Sequence, residues 1–107
     1  MNQVTETSVR DAKDWLDAGT AIFVDVREDN ELLQARIAGA VHVPLSRFDP
    51  ADIPTVPEKR VVFVCAVGAR SFQAADYLLN QEILTEAYNL TGGLQAWNIA
   101  GLPLESG

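Results

Sequence analysis

The fold is decided by residues 61–78, VVFVCAVGARSFQAADYL. Residues 61–64 form a short apolar run rich in β-branched side chains, which predicts a strand buried on both faces. The chain's single cysteine, Cys65, follows at once, and a loop of small residues leads to Arg70. Apolar residues at helical spacing then predict a helix over residues 71–81. The stretch is therefore predicted to be a strand, a loop and a helix, with the thiol at the carboxyl end of the strand.

The rest of the chain alternates between helix and strand patterns in the same way. Short helices are predicted over residues 8–19 and 28–39. The second helix is expected to turn three apolar side chains inward: Leu32, Leu33 and Ile37. The proline-rich residues 45–60 predict an irregular surface connection. The remaining predicted elements are strands at residues 21–26, 41–43 and 86–90 and a short helix at residues 94–98.

This alternation indicates an α/β fold with a largely parallel sheet covered by helices on both faces. The 107 residues fit one compact domain, so we expect a single domain over residues 1–107. Binding sites of such folds lie beyond the carboxyl ends of the strands. Cys65 is placed at such an end.

Composition and charge exclude several classes of partner. Hydrophobic residues make up 48% of the chain and charged residues 21%, as in globular proteins with a buried core. The 15 acidic and 8 basic residues give a net charge of -7, which disfavours nucleic acid and membrane surfaces as partners. The polar N-terminus and the short apolar runs predict a cytoplasmic chain without a membrane span. One cysteine cannot form an internal disulfide, so redox chemistry would need a partner thiol.

The surroundings predicted for Cys65 favour a reactive thiolate. A helix N-terminus follows the loop, and its unpaired N–H groups favour negative charge. Gly68 allows a tight turn, and Arg70 adds a permanent positive charge that lowers a thiol pKa or holds an anion. The alternative for a lone cysteine is an inert, buried small side chain. The combination of strand end, glycine, arginine and helix start favours the reactive thiol.

Four motifs resemble the rhodanese family of single-domain sulfurtransferases, in order and in approximate spacing. They are VDVRE (24–28), IAGAVHVPL (37–45), CAVGARS (65–71) and LTGGLQAW (90–97). The resemblance implies a three-layer sandwich whose central, mostly parallel sheet has four or five strands. It also implies that Cys65 is the catalytic residue. The substrate-binding cradle implied by the family is the following loop: Ala66, Val67, Gly68, Ala69, Arg70 and Ser71.

The chemistry implied by the resemblance is a two-step sulfur transfer. The Cys65 thiolate takes the sulfane sulfur of thiosulfate or of a small-molecule or protein persulfide, and a thiol or cyanide-type acceptor then removes it. No metal and no organic cofactor is required. Because Ala66, Val67 and Ala69 are uncharged where many thiosulfate-using relatives carry basic side chains, we expect thiosulfate to be a poor donor.

Asp25 and Arg27 lie at a neighbouring strand end and are expected to brace the loop rather than to react. Arg70 is expected either to bind the substrate or to form an ion pair, with Asp25 as the candidate partner. His42 is assigned no role in the site, because it lies in an apolar strand with no acid or cysteine nearby in the sequence.

Other functions stay open at this level. A rhodanese-like module that binds a protein partner without turnover is the main alternative, although the intact Cys65 and Arg70 disfavour it. A phosphatase or arsenate reductase is disfavoured because four residues separate Cys65 from Arg70, where related phosphatase loops have five. A disulfide oxidoreductase lacks a second cysteine. The sequence does not indicate an oligomeric state.

Overall fold

Five parallel strands form one sheet in a computed structural model that describes residues 3–106. The strands are β1 (Thr5–Thr7), β2 (Ala21–Asp25), β3 (Val41–His42), β4 (Arg60–Val64) and β5 (Tyr88–Leu90). The helices are α1 (Val9–Asp17), α2 (Asp29–Gln34), α3 (Ala69–Asn80) and α4 (Gly93–Ile99), and two short 3-10 turns lie at Leu45–Arg47 and Pro50–Asp52. The order of strands in the sheet is β1-β5-β4-β2-β3.

The apolar runs occupy the middle of this sheet. β4 pairs with β2 along its whole length, and the register places Val62 opposite Phe23 and Val64 opposite Asp25. Both strands are covered on two faces, which explains why their sequences are continuous apolar runs rather than alternating patterns. The predicted buried strand that precedes Cys65 is confirmed, and it lies at the centre of the sheet.

Helices cover both faces, so the expected three-layer α/β fold is confirmed. On one face α3 packs Ala75 and Leu78 against Phe63, with both of the α3 residues fully or almost fully buried. On the other face α1 and α4 pack against the sheet, and Trp97 of α4 contacts Phe23 edge to face at 5.7 Å between ring centroids. The apolar area removed from water on the two faces is the main stabilising contribution to the fold.

The structure differs from the sequence-based expectation in four respects. Leu33 is 64% exposed, so the prediction that it faces inward is wrong. α2 stops at Gln34 because Ala35 is extended, and the buried Ile37 therefore lies beyond the helix. α3 begins at Ala69, two residues earlier than expected, and the polar strand β1 was not predicted.

The parallel topology brings the carboxyl ends of β2, β4 and β5 to one edge of the sheet. Asp25, Cys65 and Asn89 lie at or next to these ends, although they are far apart in the sequence. This edge carries the candidate site. Within residues 3–106, none of the helices is long and apolar enough to cross a membrane.

Candidate active site

Cys65 lies directly after β4, at the start of a loop that we call the Cys65 loop (residues 65–71). The residue is fully buried, and two donors converge on its sulfur. The Gly68 N–H lies 3.1 Å from Sγ, and the Ser71 hydroxyl oxygen lies 3.2 Å from it. Gly68 has a φ of 101°, a left-handed conformation that glycine adopts without strain and that bends the loop back over the sulfur.

Two carbonyl groups of the Cys65 loop are bound by α4. The N–H groups of Leu94 and Gln95 donate to the carbonyl oxygens of Cys65 and Ala66, at 2.9 and 3.0 Å. The first turn of α4 can approach so closely because Gly93 has no side chain. A Cβ atom at Gly93 would lie 2.4 Å from the Cys65 carbonyl oxygen. The helix therefore uses its unpaired N–H groups to fix the backbone of the loop.

A buried side-chain network supports the loop from the other side. Asn89, which is 3% exposed, donates to the Gly68 carbonyl oxygen at 3.0 Å and to the Glu6 carboxylate at 3.1 Å. Its side-chain oxygen lies 2.5 Å from the Ser71 hydroxyl, which is also the group that faces Sγ. Ser71 has one hydroxyl proton and can donate it to one of these two acceptors at a time. The network thus links Cys65 to the edge strand β1.

The hydrogen bonds lower the pKa of the Cys65 thiol. Burial of the sulfur acts in the opposite direction, because a charged thiolate is poorly solvated there. The Ser71 hydroxyl and the backbone N–H groups of Ser71, Gly68 and Val67 stabilise the thiolate, and together they outweigh burial. The pKa of Cys65 therefore lies below its ordinary value, as chemistry at a thiolate requires.

Arg70 forms an ion pair, but with Glu31 and not with Asp25, so the candidate partner named from the sequence is wrong. Both terminal nitrogens of Arg70 lie 2.8 Å from the two carboxylate oxygens of Glu31. This bidentate hydrogen bond, opposed by burial, lowers the pKa of Glu31 to about 2. The pair joins the start of α3 to α2 beside the Cys65 loop.

Asp25 instead binds Arg27, and both side chains are almost fully buried. Arg27 donates to both carboxylate oxygens of Asp25 and to the carbonyl oxygens of Glu31 and Ala35. The Arg27 carbonyl oxygen lies 2.7 Å from Nε2 of His42. A buried pair with all of its donors and acceptors satisfied fixes the chain between β2 and α2. The pair therefore holds the backbone in place, and the hydrogen bonds to Sγ come from Gly68 and Ser71 instead.

The surface above the Cys65 loop has two open pockets, and Val67 lies between them at 58% exposure. One pocket, of about 440 Å³, lies between the loop, α2 and α4 and is lined by apolar and carboxamide side chains in addition to Arg27 and Glu31. The other, of about 460 Å³, lies between the loop, α3 and β1 and includes the half-exposed Phe72. A substrate therefore meets the uncharged side chain of Val67 above the loop, while Arg27 and Glu31 line one pocket and Glu6 lines the other.

The sequence model of the protein family described as the rhodanese-like domain matches residues 8–100 of this chain. The chain belongs to the rhodanese-like domain family. A protein named sulfurtransferase from Allochromatium vinosum is 37% identical to this rhodanese-like domain over 89 residues, which cover 82% of the domain and 81% of that protein. The resemblance found in the four motifs is confirmed.

Solved structures show the same fold. The crystal structure of a thiosulfate sulfurtransferase from Pseudomonas aeruginosa matches with a TM-score of 0.84 at 29% identity and covers 97% of this domain. This domain spans 20% of the length of that chain. A rhodanese-related protein from Thermoplasma volcanium matches with a TM-score of 0.79 at 27% identity, and the match covers 94% of this domain and 97% of that protein.

The structure adds three residues that the sequence did not single out for this rhodanese-like domain: Glu6, Glu31 and Asn89. Each contacts the Cys65 loop or one of its partners only through the tertiary fold, and Glu6 is separated from Asn89 by 83 positions. A weak signal existed for Asn89, since it is a polar residue within a short apolar strand. Within residues 3–106, no group of three or more His, Cys, Asp or Glu side chains is arranged to hold a metal ion.

Proposed function

We propose that this rhodanese-like domain is a sulfurtransferase that carries a sulfane sulfur on Cys65 as a persulfide. The donors around Sγ carry the proposal: the Gly68 N–H at 3.1 Å and the Ser71 hydroxyl at 3.2 Å. The attacking thiolate and the persulfide formed from it are both anions, and preorganised donors stabilise such charge. The sulfurtransferase from Allochromatium vinosum supports the same reaction class by similarity.

The reaction consists of two displacements at sulfur. In the first, the Cys65 thiolate attacks the outer sulfur of a donor R–S–SH, the donor's S–S bond breaks, and RS⁻ leaves with the electron pair. The product, Cys65–S–SH, loses its proton to solvent and becomes the anion Cys65–S–S⁻. In the second, an acceptor nucleophile attacks the outer sulfur and the Cys65 thiolate leaves; cyanide acting on Cys65–S–S⁻ gives thiocyanate. Charge and atoms balance in each step without a metal or an organic cofactor.

Each part of the site has a role in this scheme. The backbone N–H groups of residues 66–71 stabilise the negative charge that develops on the two sulfur atoms. The Ser71 hydroxyl donates its single proton to the sulfur atom that carries the charge. Asp25 and Arg27 hold the neighbouring chain in place. The two pockets provide room for successive substrates, a small-molecule or protein persulfide donor and then a thiol acceptor. We expect this thiolate chemistry to operate in the cytoplasm, where thiols stay reduced.

The test is an intact-mass measurement of the purified chain after incubation with a persulfide donor and then with cyanide. We expect the wild-type chain to gain one sulfur atom and to lose it again as thiocyanate. The Cys65→Ala variant should gain none while its thermal unfolding stays close to that of the wild type, because the exchange removes a single buried atom. If no donor loads the wild-type thiol, the reaction is refuted, and the domain is better described as a protein-binding module without turnover.

A further inference from the structure

The Cys65 loop contains one charged side chain, and its charge is neutralised. Arg70 is the only ionisable group in the loop besides the thiol. Both of its terminal nitrogens face the Glu31 carboxylate at 2.8 Å, and the pair is about one-third exposed. The pKa of Glu31 is about 2, far below neutral pH, so the carboxylate is ionised there. An incoming anion therefore meets a pair with no net charge.

The other charged groups at this edge of the sheet do not replace the missing positive charge. Arg27 is paired with Asp25, and both are buried. On the far side of the loop the exposed Glu6 carboxylate binds Asn89 and Thr91, so it adds negative charge. Two guanidinium groups are thus matched by three carboxylates around the sulfur. These side-chain charges sum to -1, so they give an incoming anion no net attraction and disfavour a doubly charged anion more than a singly charged one.

This balance of charges affects the two classes of sulfane-sulfur donor differently. Thiosulfate is a dianion, and its reaction with Cys65–S⁻ gives Cys65–S–S⁻ and releases sulfite, which is also a dianion. A hydropersulfide carries at most one negative charge at the reacting group and releases a thiolate. Positive charge at the loop would therefore favour thiosulfate more than it favours a persulfide.

We propose that Glu31 is a specificity-determining residue that masks Arg70 and so directs the site toward persulfide donors and away from thiosulfate. The inference rests on the proposed sulfurtransferase function. It makes Glu31, a residue that contacts neither Cys65 nor the reacting sulfur, the group that sets which donor is used. The backbone donors around Sγ stabilise the charge of the carried sulfur with either donor, so they do not make this distinction.

The experiment measures kcat/KM for thiosulfate and for 2-hydroxyethyl persulfide, which has no charge outside its persulfide group, in four chains and compares the ratio of the two. The Arg70–Glu31 pair is neutral in the wild type, positive in Glu31→Gln, negative in Arg70→Ala and neutral again in the double variant. We expect the thiosulfate-to-persulfide ratio to rise about tenfold in Glu31→Gln, to fall in Arg70→Ala, and to return close to the wild-type ratio in the double variant. Added salt should shrink the differences.

The control is Asp29→Asn, which makes the same charge change in the same helix. Asp29 pairs with Arg47 at 3.0 Å rather than with Arg70. The thiosulfate-to-persulfide ratio of Asp29→Asn should therefore stay within about twofold of the wild-type ratio. Glu31→Gln keeps the side-chain oxygen that accepts from the Glu28 N–H, which preserves the start of α2. The comparison of Glu31→Gln with the wild type decides the proposal even where Arg70→Ala is unstable.

An unchanged or lower ratio in Glu31→Gln overturns the inference, and so does an equal rise in Asp29→Asn. In these cases the persulfide still loads Cys65 and the sulfurtransferase function stands. If neither donor loads the wild-type chain, the proposed function fails first and this inference fails with it.

Discussion

Replacing Gly93 with alanine tests how strongly α4 controls the Cys65 loop. The added Cβ atom would lie 2.4 Å from the Cys65 carbonyl oxygen and 2.7 Å from the Ala66 carbonyl carbon and oxygen. These are backbone atoms, so no side chain can rotate away. Gly93 also has a φ of 60°, which costs an alanine about 1 kcal/mol. Overpacking adds about 1 to 3 kcal/mol.

The overlap can be relieved only by moving α4 away from the loop. That movement lengthens the hydrogen bonds from Leu94 and Gln95 to the loop carbonyls, which contribute about 1 kcal/mol each. Whether the overlap remains or α4 moves and both hydrogen bonds weaken, the free energy of unfolding falls by about 2 to 4 kcal/mol. Domains of this size have a free energy of unfolding of about 5 to 15 kcal/mol, so the variant should fold with much reduced stability.

The assay is urea unfolding followed by tryptophan fluorescence, since the buried Trp97 lies within α4. Gly101→Ala is the matched control, because Gly101 also has a positive φ, 76°, but an added Cβ atom there meets nothing within 4 Å. We expect the control to lose about 1 kcal/mol through the backbone alone. Equal losses in the two variants would refute the argument that close packing of α4 fixes the loop.

Two further predictions concern titration. Ser71→Ala should raise the pKa of the Cys65 thiol, because a hydroxyl that stabilises the thiolate is lost. The ultraviolet absorbance of the thiolate, followed against pH, measures this pKa. A pKa that stays the same or falls would contradict the assigned hydrogen bond. The pKa of Glu31 is lowered from 4.5 to about 2, so the stability that its pair with Arg70 contributes should be complete above about pH 4.5 and lost as the pH falls through about 2. The difference in free energy of unfolding between the wild type and Glu31→Gln should therefore narrow across that range, and a constant difference would argue against the pair.

Elements with a strong local pattern could be predicted from the sequence. β2 and β4 are continuous apolar runs because both of their faces are buried, and a polar residue there would lose its hydration. β1 has the sequence Thr-Glu-Thr and becomes a strand through its parallel pairing with β5 at the sheet edge, where Thr5 and Glu6 are exposed to water and Thr7 is buried. Pairing of this kind depends on the partner strand and leaves no periodic signal in the segment itself.

The same difference between local and long-range signals applies to the candidate site. The Cys65 loop is local, so the thiol, the glycine turn and the helix start could be located from consecutive residues. The ion-pair partner of Arg70 could not be located in this way. Two acids, Asp25 and Glu31, lie before it in the sequence in elements that both come close to the loop. The fold decides between them: Arg27 reaches Asp25 from two residues away and occupies its oxygens, which leaves Glu31 for Arg70.

The contact between Glu6 and Asn89 also has a consequence for how the chain assembles. The supports of the Cys65 loop come from β1, β5 and α4, so the earliest and the latest parts of the chain must meet around its centre. Cys65 is synthesised before Asn89 and Gly93, and contacts between residues far apart in the sequence are slow to form in folding. The lowered pKa of the thiol is therefore a property of the assembled fold, and it reports that β1, β5 and α4 have come together around the Cys65 loop.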